Sequence, residues 1–387
     1  MPPTTTSSSS WPSRRSSPAP SPWCCSGTSR STRPTNPLTR QSPTPASWRH
    51  EAGMAEKLNV PGLWSAEMGQ VIAKQNELAG DAFATDVTPA QMRENYDTER
   101  AFWNEGGPQM ARTTDREVAT AYGAVSVRQY RPAGPAPQDT LPVIVFIHGG
   151  GWVVGNPTTH DRITRILADS TKACVVSVDY TLSPEAKYPQ ALNECVAVVR
   201  ALVDAPDEWG IDADDISLAG DSGGASLAFG VALHLRDEEK LADRLRCMLL
   251  YYGIYGLTDS ASRRLGGPWD GLGDDDLQYY YNAYFGSPED VSSPWFNVVG
   301  ADLGHGVPPC YMAAAALDPL RDDSRTLAAQ LGLAGVTNQY EEFAGVIHGF
   351  AHHTRMLSAA RRLLAHSAQF FTDQGPDQRP DADPARP

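Results

Sequence analysis

The stretch that most restricts the fold is Ile216-Ser217-Leu218-Ala219, followed by Gly220-Asp221-Ser222-Gly223-Gly224 and then Ala225-Ser226-Leu227-Ala228. The apolar run before Gly220 reads as a buried strand, and the small and apolar residues after Ser222 read as a helix. The chain must therefore pass from strand to helix inside one tight, strained corner. Glycines two before and two after the serine keep Cβ atoms out of that corner. The Ser222 hydroxyl is held above the sheet edge, and the N–H of Gly223 falls at a helix N-terminus, where anions are favoured. A glycine-rich turn with a serine cap would use the same letters, so the surrounding chain has to decide.

That surrounding chain alternates. Leu141–Ile147 is a continuous apolar run, as expected of a central strand buried on both faces. Further strands are expected at Glu117–Ala119, Val125–Tyr130, Cys174–Tyr180, Leu245–Tyr252, Cys310–Leu317 and Thr337–Phe343. Helical patterns start at Asp161 and fill 189–203, the stretch from Ser222 to about Leu235, 324–333 and 351–371. Strands alternating with helices imply βαβ units, hence an α/β protein with a mostly parallel sheet flanked by helices. Ligands in such sheets sit at the carboxyl ends of the strands. Ser222 falls there, and so does His148-Gly149-Gly150-Gly151-Trp152, which directly follows the central strand.

Residues 54–113 are helical in character, with Leu63, Trp64, Met68 and Val71 at helical spacing, and are expected to cover the core or the site. Residues 257–300 break the alternation with Trp269, Tyr279, Tyr280, Tyr281, Tyr284, Phe285, Trp295 and Phe296, the composition of a cap over a site. Residues 114–372 form the α/β domain carrying that insertion. Residues 1–53 hold Ser, Thr, Pro and six Arg but one acidic side chain, and are read as a disordered leader; 373–387 is a Pro/Asp-rich disordered tail.

The formal charge is −14. With the leader removed the body is more acidic still, which argues against nucleic acid or an anionic membrane as partner. No apolar run approaches the ~20 residues of a membrane span. Cys174, Cys195, Cys247 and Cys310 lie in apolar patterns without C-x-x-C spacing or paired histidines. They read as buried thiols in a reducing compartment rather than a zinc site, and neither a metal nor a cofactor is expected.

A serine nucleophile needs a base, a group to orient that base, and N–H donors for the developing oxyanion. In sheets of this kind the order is serine, then acid, then histidine. Of the histidines after Ser222, only His348 lies in a loop between a predicted strand and a predicted helix; His352 and His353 fall on that helix, aimed elsewhere. Asp318 directly ends a strand, whereas Asp322 and Asp323 suit a helix start, and Asp179 precedes the serine. The expected catalytic set is Ser222, Asp318 and His348. The oxyanion hole is expected from Gly149, Gly150, Gly151 and Gly223, the donors themselves being the N–H groups of the last three. His148 is expected to brace the glycine loop, and Asp221 to be structural.

His148-Gly149-Gly150-Gly151, Gly220-Asp221-Ser222-Gly223-Gly224, Asp318-Pro319-Leu320 and His348-Gly349-Phe350 resemble the hormone-sensitive-lipase family of α/β-hydrolases, the GDXG lipolytic enzymes. Glu99–Asn104, Asp179–Ala186 and Arg263–Leu272 are similar to its bacterial acetyl-esterase branch. Where the family usually has Ala after the nucleophile, this chain has Gly223, which keeps its N–H. The resemblance implies the α/β-hydrolase fold with a helical cap built from the N-terminal helices and the 257–300 insertion. It also implies a cytoplasmic serine carboxylesterase for short acyl chains. Three rivals use the same layout: a lipase for long chains, an amidase or deacetylase, and a non-catalytic ligand receptor, the last disfavoured by His348. The expected partner is a small neutral ester, and a homodimer through the sheet edge or the last helix is compatible with the sequence. A chain starting at Met54 is expected to fold and retain activity; loss of activity on that truncation would overturn the reading of 1–53 as an appendage.

Overall fold

The computed structural model describes residues 58–80 and 82–375; the leader at 1–53, Met54, Cys24, Cys25 and the tail beyond Gly375 lie outside that range. Among the described residues eight strands form one sheet. They are β1 (Met110–Thr120), β2 (Gly123–Pro132), β3 (Leu141–Ile147), β4 (Cys174–Asp179), β5 (Ile211–Asp221), β6 (Leu245–Tyr251), β7 (Cys310–Ala315) and β8 (Asn338–Phe343). Their order is β1-β2-β4-β3-β5-β6-β7-β8. The β1–β2 and β2–β4 pairs are antiparallel, and from β4 to β8 every pairing is parallel.

Helices cover both faces: α1 (Ala66–Leu78), α2 (Pro89–Asn104), α3 (Asp161–Thr171), α4 (Gln190–Asp204), α5 (Pro206–Trp209), α6 (Gly223–His234), α7 (Asp274–Tyr284), α8 (Arg321–Leu333) and α9 (Ser358–Asp373). The strand period of two explains the layering. Val143, Val145 and Ile147 of β3 share one core with α4, α6 and α8. Ile144 and Phe146, alternating with them, share the other with α1, α3 and α9. Because the central strands are buried on both faces, their sequences are apolar throughout. The N-terminal helices start where their caps dictate: Ser65 Oγ accepts the Met68 N–H at 3.1 Å, and Thr88 Oγ1 that of Gln91 at 3.3 Å, with Pro89 opening α2.

After β3 the chain moves to β4 on one side and later returns to β5 on the other. The crevice between β3 and β5 is therefore the topological switch point, where open parallel sheets bind ligands. Ile147 pairs with Gly220 across it, which places the two glycine-rich turns side by side.

Three boundaries differ from expectation. The first hairpin is longer, with β1 running from Met110, because its outward face is polar and hides the alternation. Strand β5 starts at Ile211, its Asp-rich beginning being largely solvent-facing. The last helix starts at Ser358 rather than 351, since Phe350–His353 form a separate buried 3-10 turn after Gly349, which sits at φ +73°. The four described cysteines are buried and unpaired, and no described helix is long and apolar enough to cross a membrane.

The elbow requires its glycines on contact grounds. A Cβ on Gly220 would lie 2.5 Å from the Gly224 carbonyl oxygen, and one on Gly224 only 2.1 Å from that of Ile147. Backbone atoms on both sides leave no flexible group to yield. Gly224→Ala is therefore expected to destabilise the protein by ~1–3 kcal/mol or more through overpacking. Denaturant unfolding checks this; a midpoint equal to that of the unaltered protein would contradict it.

Candidate active site

Ser222 sits at φ 52° and ψ −125°, a backbone conformation that side-chain-bearing residues rarely adopt. Its own N–H donates to the Tyr251 carbonyl at 2.9 Å, which anchors the corner to β6. Ser222 Oγ lies 2.8 Å from His348 Nε2, and His348 Nδ1 lies 2.8 Å from Asp318 Oδ2. The three side chains come from the turns after β5, β8 and β7, separated widely in sequence and joined only by the parallel sheet. Asp318 is fully buried, and its other oxygen accepts the Leu320 N–H at 2.7 Å, so both of its oxygens are placed. Burial alone would lower the pKa of His348; the Asp318 carboxylate beside it prevails, and the net shift is upward.

The other acids and histidines are engaged elsewhere. Asp322 accepts the Ser262 N–H, Asp323 pairs with Arg263 at 2.6 Å, and Asp179 lines a separate surface groove with Arg128 and Asn156. His234 packs on Trp295, while His305 and His366 pair with Asp302 and Glu341 near the surface. His148 is fully buried and stacked on Tyr180 at 4.2 Å, and the Tyr180 hydroxyl donates to the His148 carbonyl. Burial pushes its pKa down to about 3, so the ring stays neutral and braces the turn.

The glycine loop corrects one expectation. The Gly149 N–H donates to Asp221 Oδ1 at 2.8 Å, so it is already used and Gly149 leaves the oxyanion set. Gly150, Gly151 and Gly223 line the cavity beside Ser222. As the first residue of α6, Gly223 carries one of the N–H groups that no helical carbonyl can take. Trp152 fixes the loop from the far side: its Nε1–H donates to the Gly223 carbonyl at 3.1 Å, and its ring stacks on Tyr284 of α7 at 4.2 Å.

A second correction concerns His352, which is not aimed away from the site. Its Nε2 lies 3.6 Å from Asp221 Oδ2, His160 Nε2 lies 3.2 Å from Asp221 Oδ1, and the Tyr252 hydroxyl donates to Oδ2 at 3.4 Å. Burial would raise the Asp221 pKa, but these histidines hold it well below the usual carboxylate range. His353 is buried against Trp103. His160, Asp221 and His352 offer atoms within 4.8 Å of one another, the spacing of a metal triangle. Both Asp221 oxygens are already hydrogen-bonded, however, and the group works as a buried clamp on the elbow.

Over Ser222 lies a cavity of about 70 Å³. Its floor is the two glycine turns. Its roof comes from α2 and the residues before it (Phe83, Met92, Tyr96, Arg100) and from the 257–300 insertion (Asp270, Leu272, Leu277, Tyr280). Arg100 is buried, pairs with Glu99 at 2.8 Å and lies over the Tyr96 ring. Asp270 is buried as well, and desolvation pushes its carboxyl up to about 7. Neither residue was singled out from sequence as part of the site. The available signal is a charged residue within a run similar to the acetyl-esterase branch, Glu99–Asn104 for Arg100 and Arg263–Leu272 for Asp270.

The sequence model of a family described as alpha/beta hydrolase fold matches residues 144–352. Among solved structures, a hyperthermophilic esterase from the archaeon Pyrobaculum calidifontis is 30% identical, with a TM-score of 0.74 over 80% of this chain and 98% of that one. A thermostable carboxylesterase cloned from a metagenomic library is 29% identical, with a TM-score of 0.71 over 74% of this chain and 98% of its own. A thermostable esterase from Pseudomonas putida is 25% identical, with a TM-score of 0.73 over 82% and 99%.

The His348–Asp318 contact has a consequence that can be read without any substrate. A group whose folded-state pKa is raised stays protonated to higher pH. His348 is therefore expected to titrate above its ordinary value of about 6.5, and Asp318→Asn to lower that midpoint. Imidazole NMR signals followed against pH would show it; a midpoint below 6.5 in the unaltered protein, or one unmoved by the substitution, would contradict the pairing.

Proposed function

The chain belongs to the alpha/beta hydrolase family, in its hormone-sensitive-lipase-like branch, and is a carboxylic ester hydrolase; on that premise we propose that it cleaves short-chain acyl esters, acetates above all, through an acyl–Ser222 intermediate. The observation that carries this is the unbroken run of contacts from Ser222 Oγ through His348 to Asp318, opening into a small roofed cavity. Related structures described as esterases and carboxylesterases support the reading.

In this mechanism His348 Nε2 accepts the Ser222 proton as Oγ attacks the ester carbonyl. Asp318 keeps the other ring proton on Nδ1 and stabilises the imidazolium that forms. The carbonyl oxygen takes up negative charge facing the N–H groups of Gly150, Gly151 and Gly223, each such donor contributing about 2.7–4 kcal/mol to the transition state. The alcohol leaves with the proton from His348. A water, deprotonated by the same ring, then attacks the acyl–serine and releases the carboxylic acid. The size of the cavity favours a short acyl chain: at about 70 Å³ it is less than half of the ~150 Å³ apolar cavity that takes up a benzene.

Hydrolysis of p-nitrophenyl esters from acetate to palmitate tests both parts. Acetate or butyrate is expected to exceed octanoate in kcat/KM by at least ~10-fold, with little or no turnover of palmitate. Ser222→Ala is expected to lower kcat by about 10⁴–10⁶. An optimum at long chains would overturn the substrate class, and a Ser222→Ala variant of undiminished activity would overturn the nucleophile.

A further inference from the structure

Asp270 is 8% exposed and lines the cavity beside Ser222 and His348. Its two oxygens have different fates. Oδ1 accepts the N–H groups of Gly267 at 3.2 Å and Leu272 at 3.1 Å, which locks the carboxyl into the loop. Oδ2 is buried and has no partner among the described residues. The loop is not free to turn away: a Cβ on Gly271 would lie 2.6 Å from that of Phe83, so the segment is packed tightly against the cap. A buried acceptor without a donor is unfavourable, and a ligand that brings a donor relieves that penalty.

We propose that Asp270 is a specificity-determining residue whose free oxygen accepts a hydrogen bond from an uncharged hydroxyl on the ester, so that hydroxylated short esters are preferred over their plain or etherified counterparts. The assignment rests on the esterase reading above. The cavity wall favours a hydroxyl over an ammonium group. The Arg100 guanidinium shares the lining, and a cation would have to be desolvated beside it, whereas a hydroxyl carries no such charge. Burial, reinforced by the Asp318 carboxylate, pushes the Asp270 carboxyl up to about 7, so at pH 8 it is mainly an ionised acceptor. A site built around one hydroxyl discriminates strongly against an analogue that cannot donate, because its own buried group is then left unpaired.

The test compares two matched pairs at pH 8: 2-hydroxyethyl acetate against 2-methoxyethyl acetate, and ethyl glycolate against ethyl methoxyacetate. The first pair places the hydroxyl on the alcohol arm and the second on the acyl arm. The expected result is a preference for the hydroxyl ester of at least ~10-fold in kcat/KM in one pair, which also identifies the arm that Asp270 contacts. Asp270→Asn keeps an oxygen for the loop N–H groups and turns an N–H donor toward the cavity. It is expected to bring the preference to within about twofold or to reverse it, since the amide can donate to an ether oxygen. Asp270→Ser, whose hydroxyl can still cap the loop but is too short to reach the ligand, serves as a second variant should the amide misfold, as judged by thermal melting. Because the ratio is read within one protein, a general loss of activity does not affect it. A ratio near one in both pairs, or a preference that survives both substitutions and so reflects only the bulk of the methyl group, would overturn the assignment while p-nitrophenyl acetate hydrolysis leaves the esterase reading intact. Failure to hydrolyse any ester would overturn both.

Discussion

The hydrogen bond from the Gly149 N–H to the Asp221 carboxylate is the interaction on which the site depends. It joins the turn after β3 to the turn after β5. The Ser222 side chain emerges from one turn and the Gly150 and Gly151 N–H groups from the other, so this contact, with the Trp152 bond to the Gly223 carbonyl, holds their separation. A lone carboxylate in a dry interior would be protonated and would lose much of its hold on the N–H group. His160, His352 and the Tyr252 hydroxyl surround it and keep it ionised. The clamp is therefore a small buried polar group centred on the Asp221 carboxylate. Breaking such a group by removing one member leaves the rest unsatisfied.

The fold supplies the meeting place that the clamp then fixes. A parallel sheet that reverses its winding direction between β3 and β5 opens a crevice there, and both turns face into it. The sheet contributes the rigid parts of the site: β5 presents Ser222, and β7 and β8 bring Asp318 and His348 from the same edge. Since both faces of β3 and β5 are buried in continuous cores, these turns cannot shift without disturbing the packing on two sides. The strain stored at Ser222 persists for the same reason, being outweighed by surroundings that admit no alternative path.

How much of this the sequence discloses follows from whether a residue's role is local. Ser222, Gly150, Gly151 and Gly223 are recognisable because a strand–turn–helix corner and a glycine turn are patterns of adjacent residues. Asp318 and His348 are recognisable because each directly follows a predicted strand, and a parallel sheet places all such positions at one edge. That Gly149 stands outside the oxyanion set is not legible, because the residue that takes its N–H, Asp221, is distant in sequence and contacts it only across the sheet. His352 was misplaced because the apolar letters around it read as one helix from 351, where the chain in fact makes a separate turn. Arg100 and Asp270 escaped notice because burial of a charged side chain is a tertiary fact. Only the packed structure shows the Arg100 face of α2 closing over Ser222.

The groups divide by layer. Those that would move protons or hold charge during the reaction stand on the sheet, whereas the side chains that roof the cavity stand outside it. Phe83, Tyr96, Arg100 and Asp270 come from segments outside the alternating β/α core. Arg100 is held in place within the cap by Glu99, whose other oxygen accepts the Trp103 indole N–H at 2.5 Å. Asp270 differs in having one oxygen bound and one without a partner. A buried polar atom left in that state on a cavity-lining residue carries a desolvation penalty in the free protein, and a ligand with a matching donor would lift it. Binding selectivity can therefore change through cap residues while the clamp between Gly149 and Asp221, and the corner it fixes, stay as they are.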